Sequence, residues 1–119
     1  MIMQSFEPRQ KEVCWVSFFY SNSREQKHRP ALVISNNDYN AKNEDVLACA
    51  VTSSIMPRPY SIELLEDSFS EGNLPLKSRV RCDKILSIEK SLFTKKICTV
   101  SKETFSIVVK EINGLISQK

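Results

Sequence analysis

Five side chains in this sequence could act together on a phosphate group. Arg29 begins one apolar segment, Thr52 and Ser53 end another, and Arg81 and Asp83 alternate along a third. A guanidinium offers a planar fork of donors to phosphate oxygens, and hydroxyls can donate to the same group. Rigid strands would hold these groups in the fixed geometry that a reacting site requires. The spacing therefore favours a phosphodiester as the target.

The segment from Lys77 to Asp83 is the most specific part of this pattern. Because side chains of a strand alternate between faces, Lys77, Arg79, Arg81 and Asp83 are predicted to share one face. Three adjacent cations repel one another and favour an anionic partner, although an edge strand protected by its charges is an alternative interpretation. Asp83 would be either a counter-ion or a general base, and its cationic neighbours should lower its pKa.

The sequence around Arg29 and His28 is less specific evidence for a phosphate site. Arg29 follows a polar loop, residues 24–28, and by itself could equally form a surface ion pair. His28 could exchange a proton near neutral pH, or could be an ordinary exposed loop histidine. The pair of Thr52 and Ser53 is also compatible with simple turn chemistry.

Taken together, the residues fit a ribonuclease that needs no metal. In such a reaction the 2′-OH of RNA attacks the adjacent phosphate, which requires a proton acceptor, a donor to the leaving oxygen and positive charge around the phosphate. Asp83 is the acceptor among the cations. Because the pKa of arginine lies above roughly 12, we interpret Arg29 and Arg81 as stabilisers of charge rather than as proton carriers.

The elements that must position these residues are mostly short strands. Residues rich in β-branched and aromatic side chains predict strands at 13–19, 29–35, 46–52, 60–65, 77–83 and 97–100. A turn and short helix are predicted for 36–44, a polar loop for 67–76 and a helical turn for 86–92. Ser101 is the predicted N-cap of a C-terminal helix with an amphipathic apolar pattern.

These elements predict a fold that is mainly β with α, a small and strongly bent antiparallel barrel with a C-terminal helix. The 119 residues form one predicted domain, 1–119, with a flexible N-terminal segment at 1–10. Because the chain has only two glycines, asparagines are predicted to supply positions of positive φ. Those asparagines are Asn22, Asn36, Asn37, Asn40 and Asn73.

Composition sets further limits. The net charge of +3 does not by itself indicate nucleic acid. The absence of a long apolar run and of a signal-peptide pattern predicts a cytoplasmic protein with no membrane association. The four cysteines lie in apolar runs without paired metal-ligand spacing, which predicts buried reduced thiols, no metal site and no cofactor. They are Cys14, Cys49, Cys82 and Cys98.

Five motifs in order make the chain similar to the MazF/PemK/Kid family of toxin endoribonucleases, and to its PemK/Kid branch in particular. The motifs are Glu12-Val13-Cys14-Trp15, Glu25-Gln26 before Arg29-Pro30, Val51-Thr52-Ser53, Arg81-Cys82-Asp83 and Ile88-Glu89-Lys90. The glycine that the family usually has before its first acidic residue is Lys11 here, and the glycines of the Glu-Gln loop are missing.

The resemblance implies an SH3-like barrel, usually a homodimer, that cleaves single-stranded RNA at short sequences and is blocked by a cognate acidic antitoxin. By motif match the catalytic residues would be Arg29, Thr52, Arg81 and Asp83. Residues implied in RNA binding, by the motifs or by their place beside them, are Glu25, Gln26, His28, Ser53, Lys77 and Arg79.

Two other functions use the same kind of barrel. A gyrase poison of the CcdB type would act through the C-terminal helix and would need neither Arg29 nor Asp83. A catalytically silent barrel could bind RNA or protein through its charged face. Neither alternative explains hydroxyls combined with an Arg/Asp pair.

Overall fold

The computed structural model describes residues 6–19, 26–54 and 56–118, which form one antiparallel sheet and two helices. In chain order the elements are β1 Glu12–Phe19, β2 Gln26–Val33, α1 Asn37–Lys42, β3 Asp45–Thr52, β4 Ser61–Leu64, β5 Phe69–Glu71, β6 Ser78–Glu89, β7 Phe93–Val100 and α2 Lys102–Ile116. The strand order is β4-β6-β3-β2-β1-β7-β5. The predicted bent antiparallel barrel with a C-terminal helix is confirmed as a half-barrel, whose edges are β4 and β5.

Each face of the sheet has its own hydrophobic core. The first core packs under α2 and consists of Val13, Leu32, Cys49, Val51, Leu64, Val80, Cys82, Cys98, Val100 and Val108. The second core consists of Cys14, Val16, Ala31, Val33, Val46, Ala48, Ile88 and Phe93, with Phe6, Leu86 and Leu92 against it. Neighbouring residues of β2 alternate between the two cores because strand side chains point to opposite faces. We call the side of the sheet that carries the second core the second face.

The C-terminal helix begins where the sequence predicts. The Ser101 hydroxyl accepts a hydrogen bond from the Thr104 amide at 3.1 Å, which satisfies one of the free donors at the start of α2. Val108 is fully buried against the first core, whereas Ile107 and Ile116 are 50% and 72% exposed. The helix therefore covers the first core with only part of its apolar surface.

Two predictions about the second half of the chain were wrong. Leu86–Glu89 continue β6 rather than forming a helical turn, and only Lys90–Leu92 make a single 3-10 turn. Phe69–Glu71 form β5, which pairs with β7, where a loop was predicted. The three residues of β5 are polar or half-exposed and give little strand signal in the sequence. The strand therefore forms because it pairs with β7.

A large bulge in β6 determines which face its side chains take. Cys49 pairs with Ile85 and Val51 pairs with Val80, so β3 advances two residues while β6 advances five. An excess of three residues is an odd number and reverses the alternation of β6. Leu86 and Ile88 therefore lie on the second face, which is also the face of Arg79 and Arg81 on the other side of the bulge.

Positive φ angles occur at positions other than the predicted asparagines. Apart from glycine, among the described residues only Lys11 (φ 77°) and Tyr60 (φ 56°) have positive φ. Lys11 is held by backbone hydrogen bonds to Val33 and Val100, and the Tyr60 carbonyl accepts from the Cys82 amide. Asn22 lies outside the described residues. For the other four asparagines the prediction was wrong, because tertiary hydrogen bonds rather than residue type select these positions.

The cysteines and the N-terminal segment both contribute to packing. All four cysteines are free and buried, as predicted, and burial raises the pKa of Cys14 and Cys49 to about 12. Residues 1–5 of the segment predicted to be flexible lie outside the described residues. Phe6 packs against the second core and Pro8 is fully buried.

Candidate active site

Three strands bring Arg29, Thr52 and Arg79 to one end of the second face. Thr52 of β3 pairs directly with Arg79 of β6. β2 pairs with β3 as far as Ala31 and Ala50, and Arg29 follows two residues later, where the two strands are no longer paired. Directly paired residues point to the same face, as do residues two apart in one strand, so Arg29, Thr52 and Arg79 all belong to the second face. We call this end of the sheet, together with Arg81 two residues further along β6, the open end of the second face.

Arg81 and Asp83 form a bidentate ion pair at this open end. Arg81 Nε donates to Asp83 Oδ1 at 2.8 Å, and Arg81 Nη2 donates to Asp83 Oδ2 at 3.0 Å. This hydrogen bonding lowers the pKa of Asp83, as predicted, and the same pairing raises the pKa of Arg81. Because both carboxylate oxygens accept from one guanidinium, Asp83 fixes the orientation of Arg81 and is a weak base.

Arg79 is held by the edge strand β4. Its Nε donates to Ser61 Oγ at 3.1 Å, and its Nη1 lies 3.9 Å from a carboxylate oxygen of the more exposed Glu63. Ser61 Oγ in turn donates to the Arg58 carbonyl at 2.8 Å. The Arg79 guanidinium is thus positioned by a short hydrogen-bond chain.

Arg29 and Thr52 retain the capacity to bind a ligand. Arg29 is exposed, and no described carboxylate forms an ion pair with it. Thr52 Oγ1 accepts from the Ser54 amide at 3.2 Å, which leaves its hydroxyl proton available for donation. Among the described residues, the open end therefore presents the guanidinium of Arg29 without an ion pair, the hydroxyl of Thr52, and the two positioned guanidinium groups of Arg79 and Arg81.

The other predicted site residues lie elsewhere. His28 and Ser53 are neighbours of Arg29 and Thr52 in sequence and so point to the opposite face, where both line a cleft. Lys77 precedes β6 and is exposed. Glu25 lies outside the described residues, and the side chain of Gln26 is not described either.

Arg58 is a residue that sequence reasoning missed. Its charge helps to lower the pKa of Asp83, so it lies within electrostatic range of the Arg81–Asp83 pair. It stands in the segment Met56-Pro57-Arg58-Pro59, which gives only a strand-breaking signal. An arginine between two prolines was the available hint, since Pro59 restricts the backbone of Arg58 and Pro57 has a fixed φ of its own.

Within the described residues, no group of three or more His, Cys, Asp or Glu side chains is arranged to hold a metal ion. In that same part of the chain, no helix has the length and apolar character needed to cross a membrane.

Comparison with solved structures identifies the fold. MazF from Deinococcus radiodurans is 22% identical, with a TM-score of 0.75 over 95% of this chain and 99% of that chain. An endoribonuclease in complex with its cognate antitoxin, from a mycobacterial species, is 19% identical with a TM-score of 0.74, covering 94% and 99%. The Mycobacterium tuberculosis toxin MazF-mt6 is 14% identical with a TM-score of 0.69, covering 87% and 93%. Comparison with curated proteins gave no match.

The half-barrel with its C-terminal helix is thus of the class found in these toxins. A family model for the PemK-like, MazF-like toxin of type II toxin-antitoxin systems matches residues 9–116. The chain belongs to this family.

Proposed function

We propose that this protein is a sequence-specific endoribonuclease that cleaves single-stranded RNA at the open end of the second face and needs no metal ion. One observation carries the proposal: Arg29, Thr52, Arg79 and the Asp83-held Arg81 belong to one end of one sheet face, where Arg29 is exposed and the other three are partly exposed. The family match and the endoribonuclease named among the structural neighbours support the activity. We take 1–119 as a single toxin domain.

The proposed reaction transfers a phosphoryl group within the RNA. The 2′-oxygen attacks the neighbouring phosphorus and loses its proton, the P–O5′ bond breaks, and the leaving 5′-oxygen gains a proton. The products are a 2′,3′-cyclic phosphate and a 5′-hydroxyl. Arg29 and Arg81 stabilise the charge that develops on the phosphate oxygens, and Thr52 donates a hydrogen bond to one of them.

Asp83 has two candidate roles in this reaction. As a base it would take the 2′-OH proton, but the bidentate contact with Arg81 lowers its pKa and occupies both oxygens. As a positioning residue it would hold Arg81 against the phosphate. The contact geometry favours positioning, and the pH dependence of the Asp83→Asn variant decides between the two roles.

We further propose the partners that the resemblance implies. These are a single-stranded RNA substrate, a cognate acidic antitoxin and a second copy of the chain, all in the cytoplasm. Solved complexes of related toxins with antitoxins support the antitoxin. The proposed RNA-binding residues are Glu25, Gln26, His28, Ser53, Lys77 and Arg79.

A second candidate function has one observation in its favour. The exposed Ile107 and Ile116 of α2 offer the helical contact surface that a gyrase poison of the CcdB type would use. The same surface suits a homodimer, so it does not decide between the two functions.

The test is cleavage of a long single-stranded RNA in EDTA, with mapping of the new ends. We expect cuts at one short motif, with cyclic phosphate ends, that are absent from Arg29→Ala and strongly reduced in Thr52→Ala. Intact RNA at high protein concentration would contradict the proposal, and gyrase inhibition would then be measured.

A further inference from the structure

A cleft opens where β2 and β3 separate beside the proposed active site. The two strands pair only from Ala31 to Val33 on β2, although both continue beyond that point. Pro30 has no N–H to donate, and the ladder with β3 ends next to it. The resulting cleft has a volume of about 340 Å³, within the range of about 300–1,000 Å³ that is typical of small-molecule sites.

The walls of the cleft combine an aromatic ring with apolar and polar groups. Half-buried Trp15 and Pro30, which pair across β1 and β2, form one wall. The segment Leu74-Pro75-Leu76 covers the other side, and Leu76 is 65% exposed there. Polar groups come from His28, Ser53 and Ser78. Gly72, with φ of +69°, turns the chain from β5 towards this covering segment.

This lining suits a nucleobase better than a purely apolar partner. Single-stranded nucleic acids are bound by aromatic rings on which bases stack, next to cations that contact the backbone. Here Trp15 supplies the ring, and Arg29 of the proposed active site also lines the cleft. Because β2 and β3 are not paired beyond Ala31 and Ala50, the cleft reaches Arg29 although two of its polar residues, His28 and Ser53, point to the opposite face of the sheet. A phosphate held by Arg29 would therefore leave the base of a neighbouring nucleotide within reach of the cleft.

We infer that the cleft between β2, β3 and residues 74–76 binds one nucleobase of single-stranded RNA, adjacent to the phosphate held by Arg29, and so contributes to the choice of cleavage sequence. The part of this inference that concerns the cleavage sequence rests on the proposed function. Binding of a base in the cleft can be measured without any cleavage.

Trp15 is the only tryptophan of the chain and reports directly on the cleft. We would titrate the protein with 2′-O-methyl octanucleotides, which lack a free 2′-OH and are not cleaved, using a random-sequence pool and homopolymers of A, C and U. Binding would be followed by fluorescence anisotropy of the labelled oligonucleotide and by Trp15 emission. We expect saturable quenching of Trp15 at the same concentrations as binding.

Two glutamate substitutions make a matched pair. Leu76→Glu puts a negative charge at the mouth of the cleft, whereas Leu65→Glu places it at another exposed leucine, 54% exposed, that does not line the cleft. We expect Leu76→Glu to weaken binding by roughly 5- to 100-fold, because the carboxylate would repel the RNA phosphates and keep the base away from Trp15, and loss of one base–aromatic stack has an effect of this size. Leu65→Glu should stay within about twofold, since Leu65 lines a separate groove that shares residues 74–76 with the cleft but does not itself line the cleft. In sequenced cleavage products, Leu76→Glu should relax the preference at one position next to the cut.

The outcomes separate the two proposals. Binding without any change in Trp15 emission, and with equal affinity in both variants, would overturn the cleft inference while RNA cleavage by the parent still upheld the nuclease. Trp15 quenching without RNA cleavage would uphold base binding and overturn the nuclease. A Leu76→Glu variant that binds and cuts RNA normally but escapes its antitoxin would assign the cleft to a protein partner and overturn the inference.

Discussion

The second face of the sheet is covered at one end and open at the other. On β3, Val46 and Ala48 are buried in the second core, whereas Thr52 on the same face is only partly buried. On β2, Val33 and Ala31 are buried, and Arg29 follows on the same face as an exposed cation. Among the described residues, one surface is therefore a buried core at one end and a charged, partly exposed site at the other.

The difference arises from the bulge in β6. Its three extra residues reverse the alternation, so that the strand presents Ile88 to the second core and Arg79 and Arg81 to the open end. Bulges are frequent beside active sites because they redirect side chains within a rigid sheet. The strand that packs in the rigid second core therefore also carries Arg79 and Arg81 at the open end.

The largest expected effect concerns stability at the covered end. Ile88→Ala should lower the free energy of unfolding by about 2–5 kcal/mol, and Ile88→Val by about 0.5–1.5 kcal/mol, because both leave space in the second core. Urea denaturation measures the change. Per folded molecule, the rate of RNA cleavage should be unchanged, and a loss of cleavage in Ile88→Val would indicate that the two ends are not separable.

The Asp83→Asn variant tests both the role of the open end in RNA cleavage and the pH dependence of that cleavage. With the pKa of Asp83 lowered, the carboxylate remains ionised at all pH values above the ordinary aspartate value of about 3.9. Any stability that it contributes is therefore present above that pH and is lost as the pH falls through the lower native pKa. We expect Asp83→Asn to reduce cleavage by roughly 10- to 100-fold equally from pH 5 to 8, since the variant loosens Arg81.

An acid limb of activity between pH 5 and 7 that disappears in Asp83→Asn would show that Asp83 titrates as the base. His28→Ala is the appropriate control, because His28 is the only histidine of the chain and precedes Arg29 directly in sequence.

A smaller effect is expected at the margin of the open end. Arg58→Ala should raise KM by about two- to fivefold at low salt, and the difference should fade at high salt, because an exposed cation acts mainly through screened long-range attraction. Steady-state cleavage at two salt concentrations measures this. A loss in kcat that persists at high salt would instead place Arg58 in contact with the reacting phosphate.

The smallest predicted effect lies near the covered end, at Lys11. Because Lys11 has φ of 77°, Lys11→Gly should stabilise the protein by about 0.5–1 kcal/mol, whereas Lys11→Ala keeps a Cβ and should not. Thermal unfolding of the two variants compares them. Equal stability of both would show that no backbone strain is relieved at this position.

Local patterns predicted most of the elements but not how they combine. The alternation of Arg79 and Arg81 with Val80 and Cys82 was readable from sequence, as were the Ser101 cap and the cysteine burial. The bulge was not, because the pairing of Cys49 with Ile85 is a long-range contact. Without that contact, residues 86–92 were predicted as a helical turn, although most of them are strand. The placement of His28 opposite Arg29 follows from strand alternation, but only once Gln26–His28 are known to belong to β2 and not to a loop.

The central claim is that RNA is cleaved at the open end of the second face. The most direct measurement is kcat/KM for cleavage of single-stranded RNA in EDTA by Arg81→Gln, compared with Arg9→Gln, which changes an exposed arginine before β1. We predict a loss of about 10²- to 10³-fold for Arg81→Gln, as for removal of one charge-stabilising donor, with Arg9→Gln close to the parent. Equal activity of the two variants would contradict the claim.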